Sequence, residues 1–282
     1  MPRKGRISQR ASQKSAPNAK DEAFTAASAT TETMNAISTN YRELSPDEVA
    51  EVAERCAAAW QCPEIPRRQY ESAVRNELRL LRLGEACAPF AAFLECMRRL
   101  PIELLAEQPT LLDVGASAGY YREVLAIAGF NVGYTGFDYS AAFQAFAEQL
   151  YPGIVFDIGE ARALPYLTDA FDIVLHGACI MHVRDYPRLI AEAARVARRY
   201  VLFHRSPILR AKPTTFFVKE AYGVECLEIH FNEAELLGLF RSFGLEPVYD
   251  CNVFWDPRTE SGHRDYLLKK TEIEPYASIK SV

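Results

Sequence analysis

At 282 residues, 49% hydrophobic and 24% charged, the chain has a globular composition and room for one large domain or two small ones, which excludes a wholly disordered polymer. Its net charge is −5, yet residues 1–20 carry Arg3, Lys4, Arg6, Arg10, Lys14 and Lys20 and no acid, leaving −11 on the remainder, an acidic body that disfavours nucleic acid as a partner. The seven cysteines form no CxxC pair, and there is no signal-peptide pattern and no apolar run of about 18 residues, so the expectation is a cytoplasmic protein without a disulfide framework, zinc ribbon or membrane span.

Residues 1–40, rich in Ser, Thr, Ala, Gln and Asn with Phe24 the one aromatic, predict a disordered basic tail. Its Arg-rich start also fits an organellar transit peptide, interrupted early by Asp21 and Glu22. Residues 41–104 read as a helical cap. Ser45-Pro46-Asp47-Glu48 forms a capping box opening a helix to about Trp60, whose apolar stripe is Val49, Val52, Ala53, Cys56 and Trp60. Further helices are expected over about 68–83 and 89–100, broken at Gly84 and Pro101.

From Thr110 the pattern becomes that of an α/β domain, taken as 105–282, with short apolar runs alternating with amphipathic helices. Strands are predicted over 110–114, 132–138, 154–158, 172–177, 200–204, 247–254 and 266–269, with helices over 120–128, 141–150, 186–197 and 232–243. The segment 206–231, containing Phe216, Phe217, Tyr222 and Glu225, reads as a long loop and candidate lid.

The first of these strands leads into Asp113-Val114-Gly115-Ala116-Ser117-Ala118-Gly119, where small residues permit close backbone approach to a ligand at the carboxyl end of a strand. The spacing does not supply the GxGxxG of dinucleotide-binding folds, and the Tyr-x-x-x-Lys matches at Tyr266–Lys270 and Tyr276–Lys280 read as accidental. Gly115-Ala116-Ser117-Ala118-Gly119 also spells the nucleophile elbow of α/β-hydrolases with Ser117 as nucleophile, but no strands precede it to build the oxyanion hole. Asp138 ends the next strand 19 residues after Gly119, where a carboxylate accepts ribose hydroxyls; the plainer reading is a helix cap. Then follow Gly159-Glu160-Ala161-Arg162-Ala163-Leu164-Pro165-Tyr166, Phe171-Asp172-Ile173-Val174 and His176-Gly177-Ala178-Cys179-Ile180-Met181-His182-Val183.

In this order and at these separations, the four elements resemble the class I S-adenosylmethionine-dependent methyltransferases, particularly the small-molecule group with an L-P-F motif; Ser117 replaces the middle glycine and Glu160 the commoner aspartate. The resemblance spans about 110–204 and implies a Rossmann-like sheet of seven strands, the last antiparallel. It implies S-adenosylmethionine as methyl donor, with Asp113, Gly115, Ala116, Ser117, Gly119, Asp138, Tyr139, Glu160, Ala161 and His176 around it. Tyr139 would lie against the adenine face, Glu160 would accept its amino group and the Ala161 amide would meet a ring nitrogen.

A hydroxyl acceptor needs a base, and His182 is the first candidate and His204 the second, each equally able to be a structural histidine. Tyr120, Tyr121, Phe216, Phe217 and Tyr222 are candidates for the acceptor pocket, although tyrosines at a helix start commonly only pack. His176, Cys179 and His182 lack an evident fourth metal ligand, and Arg205-Ser206-Pro207 stands where catechol-type enzymes carry Asp-Asn, so no metal is expected. The expected reaction is methylation of a small molecule or sugar; a noncatalytic donor-binding module is the alternative.

Overall fold

The structure, a computed structural model, describes residues 41–271. The predicted tail over 1–40 and the Tyr276–Lys280 match lie outside these residues.

After the short strand β1 (Arg42–Glu43), the Glu48 carboxylate accepts from the Ser45 amide at 2.9 Å and from its hydroxyl at 3.0 Å. With the serine hydroxyl donating to Glu48 rather than capping amides, 46–48 form a turn and helix α1 (Val49–Ala59) begins three residues later than expected. Its stripe is as read: Val52 and Cys56 are buried, Val49 and Ala53 pack against the core, and Trp60 is buried just past the end. α2 is continuous, running through Ile65–Gln69, a π-helical turn Tyr70–Val74 and Arg75–Arg82. It stops at Gly84, whose φ of +85° is strained for any residue with a Cβ. α3 (Ala88–Arg98) and α4 (Ile102–Ala106) follow.

The α/β part then runs β2 (Thr110–Val114), α5 (Tyr121–Ile127), β3 (Gly133–Asp138), α6 (Ala141–Leu150), β4 (Phe156–Ile158) and β5 (Phe171–Gly177). A 3₁₀ turn (Ile180–His182), α7 (Tyr186–Val196) and β6 (Ala197–Leu209) come next, then β7 (Thr215–Ala221), β8 (Val224–Asn232), α8 (Glu233–Ser242), β9 (Leu245–Asp256) and β10 (Ser261–Lys270). Seven strands stand in the order β4-β3-β2-β5-β6-β10-β9. The first five are mutually parallel, and β10, the last in sequence, is antiparallel to both its neighbours. This is the sheet the resemblance implies.

One expectation fails. The segment 206–231 is mostly strand: β6 continues past His204 to Leu209, and β7 and β8 pair antiparallel around Tyr222-Gly223, with φ of +55° and +79°. Two consecutive positive φ values mark a primed hairpin turn, whose twist matches the flanking strands. β8 pairs with the far end of β6 at Ile208–Phe231 and Leu209–Asn232, and β1 adds to β7, so the sheet has ten strands.

Alternating side chains fill both faces. Leu112, Val114, Val174, Val201 and Phe203 meet Leu189, Ile190 and Phe240 on one side, while Leu111, Ile173, Leu175 and Leu202 meet Phe90, Phe93, Tyr121 and Val124 on the other. Each such fully buried apolar side chain contributes about 1.5–3 kcal/mol, so the strand ends are held by a rigid base. No helix among the described residues is long and apolar enough to cross a membrane.

Candidate active site

At the carboxyl ends of β2 and β3 the chain builds a cradle from backbone. Gly115 has φ +72°, and a Cβ there would stand 2.5 Å from the Cys179 Cβ; Gly119, also at +72°, would drive one to 2.7 Å from Ile154 Cδ1. Neither tolerates a side chain. Ser117, between them, takes φ +53°, a left-handed conformation uncommon outside glycine. Its amide donates to Asp138 Oδ2 at 3.0 Å, and the Ser140 amide donates to Oδ1 at 3.1 Å.

Asp138 is 6% exposed, and burial pushes its carboxyl up to about 6 against the pull of those amides. It is therefore mainly ionised at neutral pH. Each oxygen has one amide donor and retains acceptor capacity, so this carboxylate can take two hydroxyls without losing its own support.

The other donor-side residues fall into two groups. Tyr139 anchors the site to the N-terminal helices through its hydroxyl, 2.8 Å from the Ala57 carbonyl; Glu160 is exposed and bonds Arg162 at 3.1 Å. Ala116 is buried with Ala147 and Phe156, and Ala161 packs against the main core. Asp113 lies beside the cradle, bonded to the tyrosine that borders Gly119, whereas the His176 side chain turns into the core. Asp113 is fully buried, accepts from the Tyr134 hydroxyl at 2.6 Å, and is lifted by burial to about 7. His176, also fully buried, stacks on Phe203 at 4.9 Å with both ring nitrogens unpartnered, and burial drives it down to about 3. It shares the face of Val174 because strand residues two apart point the same way.

His182 and His204 differ in setting. His182 Nδ1 lies 2.5 Å from the Leu227 carbonyl, so that nitrogen carries the proton and Nε2 keeps a lone pair; the ring lies 5.5 Å from Trp60 and burial lowers its pKa. His204 is fully enclosed, Nδ1 is 2.7 Å from Asp265 Oδ2, Nε2 has no partner, and Phe93 and Tyr121 lie 5.6 Å away.

Among the pocket candidates, Tyr222 sits in the hairpin turn 6.0 Å from Trp60, and Phe217 packs edge-on against Tyr41 at 5.9 Å. Phe216 points to the opposite side and joins the main core. Tyr120 and Tyr121 are buried beside Phe90 and Phe93, and Tyr121 occupies the space a Cβ on Gly177 would need. The hydrolase alternative lacks its base, since the Ser117 hydroxyl donates to the Gln69 side chain and no histidine is bonded to it.

Four features escaped the sequence reading as parts of the site: Gln69, Trp60 as a wall beside His182, the Asp265 anchor, and Glu228. Glu228 is fully buried, accepting from Tyr41 at 2.7 Å and pairing with Lys219 and with His230 at 3.1 Å. The alternation over Glu225–Phe231 and the Tyr-Gly pair were the available signal for the hairpin that carries it. A surface hollow of about 420 Å³ lined by Arg67, Tyr70, Glu71 and Phe146 contains none of the strand-end residues.

Comparison with known proteins agrees with this fold. Residues 112–203 match the family model described as "Methyltransferase domain". The chain is 31% identical over 103 residues to a demethylmenaquinone methyltransferase of Renibacterium salmoninarum, covering 36% of this chain and 43% of that protein. It is 32% identical over 108 residues to ajmaline N-methyltransferase of Rauvolfia serpentina, covering 36% and 37%. The matched region thus spans less than half the length of these curated relatives. Among solved structures, the 1,6-didemethyltoxoflavin-N1-methyltransferase of Burkholderia thailandensis, with 1,6-didemethyltoxoflavin and S-adenosylhomocysteine bound, superposes with a TM-score of 0.53 at 18% identity. That superposition covers 84% of this chain and 98% of the other, a likeness of fold.

Proposed function

Since the chain belongs to the class I S-adenosylmethionine-dependent methyltransferases, we propose that it transfers a methyl group from S-adenosylmethionine to a hydroxyl of a small molecule, with His182 as the base. The observation that carries this reading is the pairing of the Gly115–Gly119 cradle and the buried Asp138 carboxylate with a histidine whose tautomer is set, on the turn after β5.

The residues present fit the donor. Gly115 and Gly119 keep the backbone bare, and Asp138, mainly ionised at neutral pH, would accept ribose hydroxyls while the Ser117 and Ser140 amides hold it in place. Tyr139 and Glu160 are the residues that would meet the adenine. When bound, the donor supplies an activated methyl on a sulfonium.

The chain's own contribution is positioning and proton removal. His182 is neutral near pH 7 because burial opposes its charging, and the Leu227 carbonyl holds the proton on Nδ1, leaving Nε2 to receive the acceptor's proton. Trp60 and Tyr222 flank the site and exclude water. His204 is the weaker base candidate because its ring is enclosed by Phe93 and Tyr121, and with Asp265 it braces β6 against β10.

The relatives' names point to small organic acceptors, a demethylmenaquinone in one case and the nitrogen of ajmaline in another. The test is incubation with labelled S-adenosylmethionine and a panel of hydroxylated and amine-bearing small molecules. Label transfer to a hydroxyl, lost in His182→Ala with donor binding retained, is the expected result; transfer only to nitrogen, or full activity of that variant, removes the hydroxyl-and-base reading.

A further inference from the structure

The least explained charge in the molecule is Arg205. It follows His204 on β6 with φ +59°, a strained setting for a non-glycine residue, and the strain is held in place because its amide donates to Asp265 Oδ1 at 2.8 Å while Asp265 Oδ2 braces His204. The side chain is less well served. Nε is buried without a hydrogen-bond partner, and among the described residues Arg205 belongs to none of the ion pairs within 4.0 Å.

Its charge is nonetheless felt across the interior: it favours the ionised form of Glu77 and phenolate at Tyr120, Tyr121 and Tyr222, and opposes protonation of His182 and His263. None of the three nearby acids pairs with its side chain, and Asp265 is already committed to His204 and to the Arg205 amide. Glu228 is committed to Lys219, His230 and Tyr41, and Glu77 is not within pairing distance and is pushed by burial toward its neutral form. A desolvated guanidinium is costly unless something pairs with it, and its planar fork suits the two oxygens of a carboxylate or phosphate.

We propose that Arg205 receives an oxyanion carried by the methyl acceptor, so that the substrate is a small acid whose negative group docks at Arg205 on β6, near Tyr120, Tyr121 and Tyr222, while its reacting hydroxyl reaches His182. This inference rests on the methyltransferase reading and narrows its substrate class. The aromatic walls favour a ring between the two ends of the acceptor. The acid is held by a residue that lies outside the donor cradle, which separates acceptor recognition from donor recognition.

The experiment is calorimetric titration of the full-length protein, saturated with S-adenosylhomocysteine, with 4-hydroxybenzoate, its uncharged isostere 4-hydroxybenzamide, and inorganic phosphate. Expected is a preference for the benzoate over the benzamide of at least about tenfold, abolished in Arg205→Gln and partly kept in Arg205→Lys, which retains the charge but not the fork. Tighter binding of phosphate, equally dependent on Arg205, supports the site and assigns a phosphoryl group. Equal or absent binding of both anions relative to the benzamide in the wild-type protein overturns the proposal, as does a preference that survives Arg205→Gln. Loss of S-adenosylhomocysteine affinity in Arg205→Gln, with the fold intact by its thermal transition, also overturns it, because the guanidinium then serves the donor's own carboxylate. Failure of S-adenosylhomocysteine to bind the wild-type protein is a separate result that removes the methyltransferase reading beneath it.

Discussion

The two halves of the candidate site are built in different ways. The donor side comes from one continuous stretch, residues 113–140, in which backbone amides, two bare glycines and one buried carboxylate do the work. The proposed acceptor side is assembled from pieces far apart in the chain: Trp60 after α1, His182 after β5, Arg205 on β6 and Tyr222 in the hairpin. Backbone geometry constrains residue type tightly and locally, whereas side-chain chemistry at the rim is free to vary with the acceptor. The family model matches residues 112–203, which hold the donor stretch and His182 but not Trp60, Arg205 or Tyr222.

The sharpest way to break the comparison is to put a side chain into the cradle. Gly115→Ala brings a Cβ to 2.5 Å from Cys179 at a φ of +72°, so S-adenosylhomocysteine binding should fall below detection by calorimetry; adding Cys179→Gly relieves the contact but not the strain, and should restore only part of it. On the opposite side, His182→Ala should lower the methyl-transfer rate by about 10²–10⁴-fold with donor affinity unchanged. A parallel loss of donor affinity would show that the two halves are not separable.

Asp138→Ala should weaken donor binding by about 1–3 kcal/mol, measured by the same titration, because ribose hydroxyls lose a charged acceptor. The pH profile follows. Since hydroxyl donors favour the ionised carboxylate, donor affinity should be full above pH 6 and decline as pH falls through about 6. A flat profile between pH 5 and 8 would remove Asp138 from the contact.

The smallest effect separates structural histidine from functional histidine. His176 is held neutral, with its pKa pushed down to about 3, so below the ordinary value of 6.5 the unfolded chain binds a proton that the folded chain refuses. Stability is therefore lost as pH falls from 6.5 toward 3. His176→Leu removes that loss and two unpartnered nitrogens, and the variant should gain about 2 kcal/mol relative to the wild type at pH 5 by denaturant melts, with a smaller difference at pH 8.

How much of this was legible in the residues follows the same division. The cradle, the Asp138 position and the succession of strands along the chain could be read because glycine, acid and apolar runs recur at fixed spacings in one stretch, while the sheet they build followed from the family resemblance. The hairpin was read as loop, although Val224–Asn232 alternates and Tyr222-Gly223 is a tight-turn pair, because length and the two phenylalanines suggested a lid. The family resemblance put His176 beside the donor; strand parity, which sets the face a side chain takes, turns its ring into the core. The partners of His182 and Arg205, Leu227 and Asp265, lie 45 and 60 residues away, a pairing no local pattern encodes.

The central claim, a donor pocket made by the Gly115 cradle and Asp138, is tested most directly by titrating the purified protein with S-adenosylhomocysteine at pH 7.5, wild type beside Asp138→Ala. The account predicts one-site binding in the micromolar range that weakens by about 1–3 kcal/mol in the variant. Absence of binding to the wild-type protein, or equal affinity in both, would contradict it.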